Sequence, residues 1–181
     1  MELEMMKDFE HYGSVPTELI KKYEGKVPAK LIEIWKNYGF GTFANGYVKI
    51  INPEDYTEIL EHSYFAADTS IPIFATGFAD VIHWSKNKYL KIIQYKRHDI
   101  SSYSFGLESF VSNFGNERTM KFLDNAQYDS AVQLLGSLDY DECFGYVPLL
   151  PLGGSEKVER LQKMKIIQHI KLITDMAGRI E

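Results

Sequence analysis

Hydrophobic positions change their period twice along the chain. Leu3, Met6 and Phe9 recur at three-residue spacing; Leu19, Ile20 and Tyr23 follow, then Leu31, Ile34, Trp35 and Tyr38. Three- and four-residue spacing lines up one face of a helix. The runs stop at Gly13, Gly25 and Gly39, and the second and third open beside Pro16 and Pro28, which a first helical turn accepts. Three short helices are therefore predicted at the start of the chain.

The period then shortens. Tyr47–Ile51 is rich in β-formers and follows an Asn45-Gly46 turn. Asn52 and Pro53 make a good N-cap and first helical residue, so the segment from Pro53 to Phe65 is predicted as a helix turning Tyr56, Ile59, Leu60 and Tyr64 inward. Ile71–Ala75, Val81–Trp84, Tyr89–Tyr95 and Ile100–Tyr103 are predicted as successive short strands, with Lys86-Asn87-Lys88 turning one antiparallel hairpin. Helical spacing returns from Leu107 to Phe114 and from Tyr128 to Gly136. Phe144–Leu150 is a short apolar run expected to add one more strand, and Ser155 is expected to cap a last helix reaching Gly178.

Helices, then a strand meander, then helices describe an α+β fold: N-terminal helices, a central antiparallel sheet, C-terminal helices. Strands are expected mainly from 47–103. No repeat or low-complexity tract interrupts the chain, and the most polar connection lies at 96–106. A chain of 181 residues is long enough to bury its own core without staples.

Charge adds more than bulk composition does. The net charge of −5 argues against a partner recognised through phosphate neutralisation, so no direct nucleic-acid binding is expected. From Phe122 to Glu156 there are six acids (Asp124, Asp129, Asp139, Asp141, Glu142, Glu156) and no lysine or arginine. Lys157, Arg160, Lys163, Lys165, Lys171 and Arg179 follow. Within Leu138–Tyr146 acids alternate with aromatics. Such a surface suits a basic protein partner, because complementary fields speed encounter and aromatic side chains anchor interfaces; the plainer reading is that these acids pair with the chain's own basic tail. The 12 tyrosines and 11 phenylalanines serve either reading, as packing or as binding surface.

Catalytic chemistry is hard to find. His11, His62, His83, His98 and His169 show no metal-ligand spacing, so no metal site is expected. Cys143, the single cysteine, follows Asp141 and Glu142, an environment that opposes a thiolate. A lone cysteine fits a reducing cytoplasm. No basic-then-apolar leader is read at the start, and no apolar run nears the roughly 18 residues of a membrane span, so a cytoplasmic location without membrane contact is expected. Gly39-Phe40-Gly41 lacks the lysine of a phosphate loop, and Gly153-Gly154-Ser155 reads as a turn and cap or as an anion-binding helix start. No catalytic residue and no cofactor is expected.

Residues 39–56 (GFGTFANGYVKIINPEDY) with 76–84 (TGFADVIHW) resemble the GAD-like domain family. Residues 135–154 (LGSLDYDECFGYVPLLPLGG) with 169–178 resemble the C-terminal companion domain that accompanies it. Residues 1–181 are then one compact unit, with a division into 1–100, the GAD-like part, and 101–181, the C-terminal part. The resemblance implies an immunity-type protein that binds and neutralises a cognate secreted toxin, a nuclease effector of a type VI secretion system, rather than an enzyme. Asp139, Tyr140, Asp141 and Glu142 are the candidate partner-binding residues. The alternative is a small-ligand sensor or enzyme with a site in a cleft between helices and sheet, near Trp35, His83 and Trp84.

Overall fold

The computed structural model describes residues 2–103 and 106–181; Ser104 and Phe105, inside the polar connection at 96–106, lie outside them. Seven strands form one antiparallel meander in which every strand pairs with its neighbour in sequence: β1 (Glu10–Gly13), β2 (Phe40–Phe43), β3 (Val48–Ile50), β4 (Ser70–Thr76), β5 (Val81–Ser85), β6 (Tyr89–Gln94) and β7 (Asp99–Tyr103). The turns carry the sequence signals expected of them. Ala44, Asn45 and Gly46 all adopt positive φ between β2 and β3, as do Lys86 and Asn87 between β5 and β6.

The sheet buries both faces. Strand alternation sends Ile82, Trp84, Leu90 and Ile92 to one side, where they meet α1 (Thr17–Tyr23), α2 (Ala29–Asn37), α4 (Leu107–Ser112), α5 (Glu117–Leu123) and α6 (Tyr128–Leu135). Val81 and Ile93 point the other way, against α3 (Pro53–Ser63) and α7 (Ile166–Ala177). A bulge between Pro72 and Phe74 resets the register of β4 against β5. Asn52 caps α3 as expected, its side-chain oxygen accepting from the Glu54 amide at 3.0 Å.

Three expectations change. The first predicted helix is a single 3-10 turn at Glu4–Met6, and the chain then enters β1 at the sheet edge. Gly41 makes this approach feasible: a Cβ there would stand 2.2 Å from the Glu10 carbonyl. Helical spacing over Leu3–Phe9 is equally met by Met5 and Met6 buried in that turn and Phe9 edge-on to Tyr38. Second, the strand expected at 144–150 ends earlier and leaves the main sheet. It is β8 (Glu142–Tyr146), and its partner is β9 (Leu161–Lys165) in a separate two-stranded sheet. Third, the last helix does not start at Ser155. Residues 161–165 pair with β8 because its buried backbone needs partners, and only then does α7 begin. A Cβ at Gly154 would meet the Pro148 carbonyl at 2.0 Å, so the double glycine serves a tight loop return. The order is thus α+β with an antiparallel sheet, but strands are interleaved with the helices at both ends.

One ionic chain ties the sheet to the elements after it. Lys96, 5% exposed, reaches Asp80 at 2.5 Å and Asp124 at 3.1 Å. Arg97 takes Asp124 at 2.6 Å and Glu156 at 2.5 Å. Tyr47 adds a hydroxyl bond to the Leu123 carbonyl at 2.7 Å.

Candidate partner-binding surface

The segment from Leu138 to Glu142 links α6 to β8 and lies across the β1–β3 edge of the sheet. Hydrogen bonds from several elements fix it. Lys49, fully buried on β3, donates from Nζ to the Asp139 carbonyl at 3.0 Å. The Tyr140 hydroxyl donates to the Ile50 carbonyl at 2.5 Å. The Asp139 amide donates to the Glu142 carboxylate at 2.9 Å, and the first amide of α7, from Ile166, donates to the Asp141 carbonyl at 2.9 Å. Tyr140 also stacks on Tyr12 of β1, ring centroids 3.9 Å apart and planes 10° from parallel.

The Glu142 carboxylate is thus turned back onto the loop, whereas the anchors on Asp139 and Asp141 use their carbonyls and leave those two carboxylates outward. Asp139 and Asp141 are exposed. The plainer reading of the sequence is met in part: Lys165 pairs with Asp141 at 2.7 Å and approaches Glu142 at 3.9 Å. That pair is roughly half exposed on both sides, so it contributes little to stability and does not withdraw the carboxylates from solvent. The acids also stand at the N-terminus of α7, which has no acidic residue in its first turn and no side-chain cap; carboxylates there complement the helix dipole.

Burial governs the titratable groups behind the loop. It lowers the Lys49 ammonium to a pKa of about 8, against the upward pull of Cys143 and the acidic loop. The Cys143 thiol is pushed well up, by burial more than by its acidic neighbours. Sequence reasoning named Asp139–Glu142 but missed Lys49, Tyr12 and Asp55, which the fold brings to the same place from far away in the chain.

The structure does not bring Trp35, His83 and Trp84 together. His83 and Trp84 are consecutive in β5 and so face opposite sides of the sheet. His83 is fully buried beside Tyr64, neither ring nitrogen has a hydrogen-bond partner among the described residues, and burial holds its pKa down at about 3. Trp84 packs on the other side, its indole N–H donating to Asn87 at 3.2 Å. Trp35 is buried in α2 edge-on to Tyr23. Among the described residues, no three His, Cys, Asp or Glu side chains gather where they could hold a metal ion.

A family model described as the GAD-like domain matches residues 2–96, more than half the chain. The chain belongs to the GAD-like domain family. Residues 104–177 match a second model, described as the C-terminal domain of the type VI secretion immunity protein Tdi1. The GAD-like part carries the sheet through β6, and the Tdi1-type part supplies the acidic loop. The pair gives this GAD-like protein an immunity role: it binds and neutralises a cognate toxin and is not an enzyme. A comparison with curated proteins found no match. Among solved structures, Atu4351 from Agrobacterium tumefaciens shares the fold, with a TM-score of 0.78, 15% identity, and coverage of 94% of this chain and 87% of that one. Among the described residues no helix is long and apolar enough to cross a membrane.

Proposed function

We propose that this GAD-like immunity protein neutralises a nuclease effector in the cytoplasm, using the surface around Asp139, Tyr140, Asp141 and Glu142 to cover the toxin's basic phosphate-binding cleft. The observation that carries the reading is the combination of exposed carboxylates on Asp139 and Asp141 with a loop held in place by hydrogen bonds from Lys49, Tyr140 and the start of α7. A loop already fixed in place loses little conformational entropy on binding. A nuclease cleft must be basic to hold its substrate, and an acidic surface both complements it and speeds capture. We also propose that residues 1–181 act as one compact unit, a reading supported by the ionic chain from Asp80 to Glu156.

The test is the triple variant Asp139→Asn, Asp141→Asn, Glu142→Gln, measured against the toxin encoded beside this gene. Slower association at low salt, with an unchanged melting temperature, is expected. Unchanged protection and an unchanged association rate would remove this surface from the contact. A lower melting temperature with intact binding would assign the acids a structural role.

A further inference from the structure

The loop borders a groove of about 400 Å³ whose walls include Tyr12, Asp55, Tyr56, Tyr140, Asp141 and Lys165, with the first turn of α7 as its floor. We propose that this groove receives an arginine side chain from the protein partner, its guanidinium lying on the Tyr12 ring and bonded to Asp55. The inference rests on the reading that the acidic loop faces the toxin, and it names the group that the site takes.

Tyr12 is the starting point. It lies on the edge strand β1 and is 66% exposed, the most exposed large hydrophobic side chain among the described residues. Among the described residues its ring partner is Tyr140, stacked on one face, and the 66% exposure leaves much of the rest of the ring to solvent. Tyr140 cannot swing away to bury it, because its hydroxyl is committed to the Ile50 carbonyl. The result is a fixed aromatic platform on the surface. A planar, weakly hydrated guanidinium stacks on such a face, whereas a compact, strongly hydrated ammonium does so less well.

The carboxylates supply the second half of the site. Asp55 is exposed in the first turn of α3 and forms no ion pair among the described residues. Asp141 gives one oxygen, Oδ1, to Lys165, and Lys165 is shared with Glu142. The groove wall therefore keeps net negative charge, although the amides of α7 bring some positive potential to the floor. A carboxylate beside an exposed aromatic ring matches the fork and the plane of one arginine. Anionic ligands meet two carboxylates here, and an uncharged apolar side chain would leave Asp55 desolvated without a partner.

The experiment compares Tyr12→Ala, Tyr12→Phe and Asp55→Asn with the acidic triple variant, in the full chain, for binding to the adjacent-gene toxin. Tyr12→Ala and Asp55→Asn are each expected to raise the dissociation constant about tenfold, Tyr12→Phe to leave it near the parent value, and all three to melt normally. Free arginine and free lysine at equal ionic strength are the probes for the group recognised. Arginine is expected to weaken the parent complex more than lysine does, and to lose that advantage on Tyr12→Ala. If Tyr12→Ala and Asp55→Asn bind like the parent while the triple variant binds more slowly, the groove is overturned and the acidic-loop reading stands. If none of the variants changes binding, both fail. Equal effects of arginine and lysine, or loss of binding in Tyr12→Phe, would overturn the stacked guanidinium.

Discussion

Lys49 and His83 occupy neighbouring roles on the same buried side of the sheet, and each should betray itself through pH. Lys49 is protonated at a cost, since burial lowers its pKa from 10.5 to about 8. Between those values the unfolded chain holds a proton that the folded one has released, so this residue's penalty fades as pH rises from 8 to 10.5 and is fully present below 8. The window corresponds to about 3 kcal/mol at most. Lys49→Met should therefore melt at the same temperature or higher at pH 7, and its advantage over the parent should shrink toward pH 10.5; a pH-independent difference would count against a perturbed lysine. The same variant removes the bond to the Asp139 carbonyl, and amide exchange at 139–142 should quicken. For His83 the pKa is depressed from 6.5 to about 3, and for His169 to about 4, in both cases by burial. Stability from keeping these rings neutral is complete above 6.5 and is lost as pH falls through that interval. His83→Phe should retain the neutral-pH melting temperature and flatten its decline between pH 6.5 and 4. An unchanged acid profile would show that His83 is not a source of that decline.

At the level of elements, α3 offers a direct measurement. Its cap is one side chain, Asn52, and Asn52→Ala should lower stability by about 1 kcal/mol in thermal or denaturant melts. This helix is also among the elements most legible in the sequence. Asn52-Pro53, Pro28 and the Lys86-Asn87-Lys88 turn announce themselves because their causes are local: a cap, a fixed φ, a pair of positive φ angles. The strands β1, β2 and β9 do not, because what makes each a strand is a partner elsewhere. Gln162, Lys163 and Lys165 would suit a helix surface equally well, and only pairing with β8 decides. The candidate site divides in the same way. Asp139–Glu142 stands out as an acidic, aromatic stretch, yet the lysine that pins it is 90 residues away and the ring that stacks on it belongs to an unforeseen strand. The pairing of Trp35, His83 and Trp84 as a cleft fails on strand alternation alone, which sends the last two to opposite faces.

Across the whole molecule, the two family segments meet in the chain Asp80–Lys96–Asp124–Arg97–Glu156. Burial opposes ionisation of Asp124, but hydrogen bonds from Arg97 and Lys96 outweigh it and hold its carboxyl below the ordinary range. Removing this shared carboxylate leaves the buried Lys96 ammonium with one carboxylate partner instead of two. Asp124→Ala should cost about 3 kcal/mol, and the melt should remain a single transition if the segments fold together. Two separated transitions would instead give the segments independent stability.

The sequential order of the seven strands has a consequence for synthesis. Each strand can pair with the one just made, so the sheet can assemble while the ribosome is still translating the C-terminal part. One of its faces then waits for α7, which is made last of all the elements. During that interval the waiting face is not uniformly greasy: Lys49 and His83 lie on it, and in contact with water both can carry charge. Groups that burden the finished molecule would keep the nascent one from sticking to its neighbours; once Ile166, Ile170 and Ile173 close over the sheet, His83 is held neutral while Lys49 keeps its proton at neutral pH at a cost.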